Sequence, residues 1–289
     1  MPTIAQSISI SGIGLHTGTE ITVTLHPAEE RTGRVFRVQY PDGVETVPAQ
    51  ISSVHATQLS TELKGAQVKI RTIEHLLSAL WGMGVSDVVI GVTSPSPLVE
   101  MPILDGSAQG WVKAIQAVGV ISQHLDQPAV SLSKAYTVYQ GESLVTAVPS
   151  HQLKFTYGID FPSQAIGRQW FTWIPEQDAE YAEAIAPART FTLVQFIEAM
   201  RSQGLIKGGS LDNAIVCDDQ KWLNPPLRFI DEPCRHKLLD LIGDLSLLGH
   251  IPIAHYVAYK ASHQLHCQLC YSVAKDYAFG SSPRHYYSA

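Results

Sequence analysis

The first seventy residues alternate apolar and polar positions with a period of two, as in "SISISGIGLHTG" and "EITVTLHPAEE", and turn residues interrupt the pattern every few positions. That alternation predicts short, half-buried strands. From Thr72 the period changes. "TIEHLLSALWGMG" has helical spacing, with Thr72 as the expected N-cap and Gly84 as the stop, and "VSDVVIGV" follows as a buried strand. A second helix is predicted over Ser107 to Val118, and strands again over roughly 129–173. "TFTLVQFIEAMRSQGL" then reads as a helix ending at Gly204, and "GGSLDNAIV" as a turn into a strand. "DEPCRHKLLDLIGDLSLLGH" reads as a long helix stopped by Gly249, with the strand-like "IPIAHYVAYKASH" behind it.

Two stretches share one logic. "IEHLLSALWGMGVSDVVIGV" and "RHKLLDLIGDLSLLGHIPIAHYVAY" each carry a histidine in the first turn of a leucine-rich helix, a glycine stop and then an apolar strand. The pattern suggests a diverged internal duplication. It predicts an α+β protein of two similar domains, 1–124 and 128–278, divided at the polar "ISQHLDQPAV" with its Pro128. Each domain would lay a helix layer on a β-sheet, with the helices packed between the two sheets, which brings His75 and His236 towards one interface.

Composition narrows the function classes. The chain of 289 residues is long enough for a substantial core, so it needs no staples. Four clustered cysteines and no opening signal peptide are the signature of a reducing cytoplasm. No apolar run reaches the roughly 18 residues of a membrane span, and a net charge of −6 without a basic tract gives no footprint for nucleic acid. No obligate protein partner is evident. Twelve histidines direct attention to metal or acid–base chemistry.

Within the long leucine-rich helix, His236, Asp240 and Asp244 recur every four residues and so share one face, about 80° wide. Apolar residues cover most of the remainder, which buries the polar stripe, and a buried polar stripe has to be paired or to bind something. His236 and Asp240 at i, i+4 can ligate one metal ion. Asp244 lies about 12 Å along the axis from His236, too far for a third ligand, and is expected to orient another polar group. His75 is the leading third ligand, with Glu74 beside it as a candidate base. Two histidines, one carboxylate and an open position describe a catalytic zinc site. "HQLHCQLC" contains a C-x-x-C, but read as a strand it sends Cys267 and Cys270 to opposite faces, so packed thiols are expected there. "SGIGLHTG" lacks the helix and lysine of a phosphate loop and is expected to be a tight turn between strands.

Taken together, "SGIGLHTG", "TIEHLLSAL", "EMPILDGSA", "ARTF", "KGGSLDNAIV", "RHKLLDLIGDLSLLG" and "AYKASH" resemble, in order and over nearly the whole chain, the UDP-3-O-acyl-N-acetylglucosamine deacetylases. The resemblance implies removal of acetate from a UDP-linked, 3-O-acylated N-acetylglucosamine, the committed step of lipid A biosynthesis, by one zinc ion per chain. Iron(II) would fit the same ligands. It implies His75, His236 and Asp240 as ligands, Glu74 as the base, His263 as the residue that stabilises charge, Asp244 as its orienter and Thr190 as an oxyanion donor. Either His263 or Glu74 could protonate the departing amine. For the substrate it implies Lys237 near the sugar–diphosphate region and Phe161 near the nucleotide. The segment 190–210 would form a passage for the acyl chain, walled by Phe191, Ile197, Ile206 and Gly209. The loop "HATQLSTELKGAQ" departs from the family's usual Thr-rich version, and the aromatic tail "YAFGSSPRHYYSA" has no assigned role.

Two other classes fit less well. A zinc peptidase or amidase of another kind would lack its H-E-x-x-H and leave the acyl and nucleotide elements unexplained. A non-catalytic sugar-nucleotide or lipid-binding protein is expected to have lost a ligand or the base, and all are present.

Overall fold

The computed structural model describes residues 2–122 and 130–277. The expected domain boundary at Pro128 and nearly all of the aromatic tail lie outside these residues.

Two five-stranded sheets form the frame. The first holds, in spatial order, Ile8–Ile13, Glu20–Pro27, Val88–Thr93, Arg34–Tyr40 and Gly43–Pro48. The second holds Tyr136–Gln140, Ser143–Pro149, Ala254–Tyr259, Lys154–Asp160 and Arg168–Trp173. Numbered along the chain within its own half, each sheet runs first, second, fifth, third, fourth. In each, the fifth strand enters at the centre, antiparallel to the second and parallel to the third. The architecture is therefore α+β with a repeated topology.

Period-two patterning explains the strands. In Glu20–Pro27, Ile21, Val23 and Leu25 turn inward and are fully or almost fully buried. The outer face carries hydroxyl ladders, Ser9 to Thr24 at 2.8 Å and Ser11 to Thr22 at 2.7 Å. Such cross-strand pairs each contribute roughly 0.2–1 kcal/mol and help to set the register. The second sheet repeats the device with Thr137 to Thr146 and Thr156 to Thr172.

Besides two short 3-10 turns and three smaller sheets, the described residues form six α-helices: α1 Glu74–Gly82, α2 Gln109–Val118, α3 Tyr181–Ala184, α4 Val194–Ser202, α5 Glu232–Leu245 and α6 His263–Ala274. α1 and α5 are buried on nearly all sides, and they pack on one another. Gly243 permits the closest approach, since a Cβ at that position would sit 2.2 Å from the carbonyl oxygen of Glu74. The crossing thus sets the start of α1 against the polar stripe of α5.

Three local expectations need correction. Thr72 does not cap α1. It has φ of +55°, and its hydroxyl donates to Glu100 Oε1 at 3.1 Å, so a tertiary carboxylate takes the role that the first turn would have used. The segment from Thr190 is a short strand, Phe191–Leu193, before α4 begins, because it pairs in parallel with Ile215–Cys217. "HQLHCQLC" is helical, not a strand. Lys260 at φ of +51° turns the chain out of the preceding strand, and Ser262 accepts from the amide of Leu265 to cap α6. Cys267 and Cys270 are free and buried as thiols, together with Cys217 and Cys234.

The "SGIGLHTG" segment is a tight turn between the first two strands of the first sheet, as expected. The anion it cradles is internal: the Glu100 carboxylate accepts from the amides of His16 at 2.8 Å and Thr17 at 2.7 Å.

Candidate active site

α5 delivers three residues of the stripe, His236, Asp240 and Asp244, all buried. α1 brings Glu74 and His75 to the same place, and the first residue of α6 brings His263. Nε2 of His236 lies 3.4 Å from Asp240 Oδ1, and Nε2 of His75 lies 3.7 Å from the same oxygen. The ligand atoms of these three residues all fall within 4.8 Å of one another. Metal–ligand bonds of about 2.1 Å in tetrahedral geometry separate neighbouring ligand atoms by about 3.4 Å. The three residues therefore fit a divalent cation held by nitrogen and oxygen.

Their protonation suits that task. The carbonyl oxygen of Ala188 accepts from Nδ1 of His236 at 3.0 Å, which leaves the Nε2 lone pair for the cation. Burial lowers the pKa of His236, and burial with neighbouring His236 lowers that of His75 to about 3, so both rings are neutral. Burial would raise Asp240, yet the Lys237 ammonium foremost, with cationic His263, holds it well below the ordinary carboxylate range.

Beside this triad sit two titratable groups whose pKa values are both raised, Glu74 and His263. Burial, reinforced by Asp244 and Asp240, raises Glu74 to about 7 against the opposing pull of His263. Burial would lower His263, but the charge and hydrogen bond of Asp244, with Glu74 and Asp240, raise it to about 9. His263 Nε2 is 3.9 Å from Glu74 Oε1 and 4.0 Å from Asp240 Oδ2. Its Nδ1 donates to Asp244 Oδ2 at 2.7 Å, so the structure sets the Asp244 carboxylate directly against this ring. A carboxyl held near neutrality next to a cationic imidazole is a pair suited to proton transfer.

A cavity of about 280 Å³ opens beside the triad and is lined by Thr190, Phe191, Ile197, Met200, Ile206 and Gly209, among others. The ring of Phe191 stands 6.5 Å, centroid to centroid, from that of His236, so the cavity adjoins the ligand cluster. A mostly apolar hollow joined to a buried polar centre suits a substrate with a fatty part and a reacting polar part.

Comparison with known proteins gives the geometry a context. The sequence profile of the family described as UDP-3-O-acyl N-acetylglycosamine deacetylase matches residues 1–275. The chain belongs to this family. It is 52% identical over 274 residues to the UDP-3-O-acyl-N-acetylglucosamine deacetylase of Thermosynechococcus vestitus, an alignment covering 95% of this chain and 94% of the relative. With the protein of the same name from Nostoc sp. it shares 49% over 272 residues, 92% and 95% of the two chains. An Arabidopsis thaliana relative named probable UDP-3-O-acyl-N-acetylglucosamine deacetylase 1, mitochondrial, is 46% identical over 290 residues, 95% and 88% of the two chains.

In this member of the deacetylase family, the four residues expected to wall an acyl passage all line the cavity. Phe161 packs edge-on against Phe191, with centroids 5.4 Å apart. The ammonium of Lys237 donates to Asp240 Oδ2 at 2.7 Å. Thr190 is held by its own backbone, its amide donating to Gly106 carbonyl at 2.7 Å, where Gly106 has φ of +86° and no room for a Cβ against Asn213. Sequence reasoning missed several supports. Glu232, fully buried in the first turn of α5, takes two hydrogen bonds from the Arg189 guanidinium and one from its amide, which fixes the "ARTF" segment. Thr61 and His266 both bond to Asp244. The i, i+3 spacing of His263 and His266 was the available signal, and it is visible only if that segment is read as a helix. No helix among the described residues is long and apolar enough to cross a membrane.

Proposed function

We propose that this chain hydrolyses the N-acetyl group of UDP-3-O-(3-hydroxyacyl)-N-acetylglucosamine, releasing acetate and the UDP-3-O-acyl-glucosamine used in lipid A synthesis. The observation that carries the reading is the buried juxtaposition of a His75–His236–Asp240 cation site with Glu74 and His263, 3.9 Å apart, at the side of an apolar cavity. The family relatives bear the name of this activity.

A zinc ion held by His75, His236 and Asp240 would supply Lewis acidity to the amide carbonyl and to the attacking water. Glu74, as a carboxylate, takes the proton from that water as its oxygen bonds to the acetamide carbon. The carbonyl oxygen gains negative charge, and the hydroxyl of Thr190 would donate to it, a contribution on the order of 3 kcal/mol for one well-oriented donor. Cationic His263, held by Asp244, stabilises the same charge. Collapse breaks the C–N bond, and the nitrogen receives a proton from His263 or from Glu74. Phe191, Ile197, Ile206 and Gly209 would hold the acyl chain. Lys237 would face the sugar–diphosphate region while neutralising Asp240, and Phe161 would lie towards the nucleotide. Iron(II) suits the same donor set, and metal analysis of the purified protein separates the two.

The test is acetate release from this substrate by metal-analysed wild type, with Glu74→Ala and His236→Ala beside it. About one metal ion per chain is expected, with turnover by the wild type and a rate lower by a factor of roughly 100 or more in a folded, metal-bearing Glu74→Ala. Metal bound without acetate release across several acyl lengths would sink the proposal.

A further inference from the structure

Asp244 is the centre of a buried cluster that the proposed chemistry uses only in part. Its Oδ2 accepts from two imidazoles, His263 Nδ1 at 2.7 Å and His266 Nδ1 at 2.8 Å. Its Oδ1 accepts from Thr61 Oγ1 at 2.5 Å. Thr61, His266 and Asp244 have no exposed surface. We infer that Thr61 and His266 are positioning residues for the deacetylation: together they lock the Asp244 carboxylate, and through it the His263 ring, in the orientation that faces Glu74. The inference rests on the roles assigned above to Asp244 and His263.

A carboxylate bonded to one histidine alone keeps a soft torsion about its last bond. Here three donors occupy three of its roughly four lone-pair directions, which fixes its plane. His266 is itself pinned at the far end. Its ring stands edge-on to that of Tyr157, centroids 5.9 Å apart, and the Tyr157 hydroxyl is itself held by donating to the carbonyl of Ala261 at 2.8 Å. One turn of α6 therefore presents both histidines to one oxygen on α5, and the strand Lys154–Asp160 backs them.

Thr61 adds a second link. Its amide donates to Glu74 Oε2 at 3.1 Å while its hydroxyl holds Asp244. A single residue thus spaces the proposed base from the carboxylate that orients His263. Misplacement of reacting groups by about 1 Å can cost on the order of 100-fold in rate, so a device of this kind has a kinetic consequence. The cluster is not spaced for a second cation: a bound ion would part the ligand atoms to about 3.3 Å or more, and the observed 2.7 and 2.8 Å are hydrogen-bond lengths.

The test uses the full, metal-loaded chain and four variants. Thr61→Val keeps the shape and the amide but removes the hydroxyl, and Thr61→Ser restores it. His266→Leu removes the imidazole donor, and His266→Asn returns an N–H close to the Nδ1 position. Expected for Thr61→Val and His266→Leu is a kcat lower by about 10- to 100-fold with KM within about twofold and metal content unchanged. Thr61→Ser and His266→Asn should recover to within about threefold of wild type. The downfield proton resonance of His263 Nδ1–H on Asp244 should persist in those two and shift or vanish in the other pair. Wild-type kcat in Thr61→Val and His266→Leu overturns the inference, as does equal impairment of the conservative pair, which would make the effect one of packing volume. If His266→Leu does not fold, the Thr61 pair decides. If wild type releases no acetate, the proposed function fails, and the proton resonance still decides whether the two residues hold His263.

Discussion

At the scale of single residues, Asp244 shows how burial and hydrogen bonding compete. Burial alone would raise its pKa, but His263 and His266 lower it from 3.8 to about 2. A carboxyl depressed in the folded state stabilises the fold at pH values above its unfolded pKa, and that stabilisation is lost as pH falls through the folded value. The window is therefore between about pH 4 and pH 2, and a shift of this size corresponds to roughly 2 kcal/mol. Asp244→Asn removes the ionisable group. The difference in thermal midpoint between wild type and Asp244→Asn should be widest above pH 4 and should narrow steadily below it. A difference that stays constant from pH 5 to pH 3 would mean that Asp244 is not an ionised acceptor in the fold.

At the scale of elements, the crossing of α1 and α5 does most to assemble the site. It depends on Gly243, whose missing side chain lets α5 approach the Glu74 carbonyl. Two effects oppose each other in Gly243→Ala. Helix propensity favours alanine by about 1 kcal/mol, whereas pushing two packed helices apart costs typically 1–3 kcal/mol. A Cβ at 2.2 Å from a backbone oxygen cannot be relieved by a side-chain rotation, so the second effect should win. Gly243→Ala is expected to lower the thermal midpoint and to reduce metal affinity, because it moves His75 relative to Asp240. A more stable Gly243→Ala with unchanged metal binding would show that the helices do not need this contact.

The same scale explains what could be read in advance. The α5 stripe was legible because a 3.6-residue period and a leucine-rich background leave its polar positions conspicuous, and the structure gathers His236, Asp240 and His75 at one place. α6 was misread because His263, His266, Cys267 and Cys270 are polar or ambiguous types that mask a buried face, and its start is set by Lys260 at positive φ and by the Ser262 cap. Thr61 was not legible at all. Its bonds reach residues 13 and 183 positions away, and no local pattern encodes a contact of that range.

At the scale of the whole molecule, the residues that could hold a cation come from elements that lead into different sheets. His75 comes from the helix that feeds the first sheet, and His236 and Asp240 come from the helix that feeds the second. A ligand that binds only the folded state stabilises it by about 4 kcal/mol at a free concentration a thousand times its Kd. For a chain of this length that corresponds to a midpoint shift on the order of 10 °C. Removal of the metal by a chelator should therefore lower the thermal midpoint by about that amount, and added zinc should restore it. His236→Ala supplies the control: it should already melt low and respond little to chelator or zinc, since two remaining ligands bind weakly. Glu74→Ala, which leaves all three ligands in place, should respond as wild type does. If chelation removes the metal and leaves the wild-type midpoint unchanged, the halves are held by the apolar contacts of α1 and α5 alone, and the ion serves the chemistry without tying the fold.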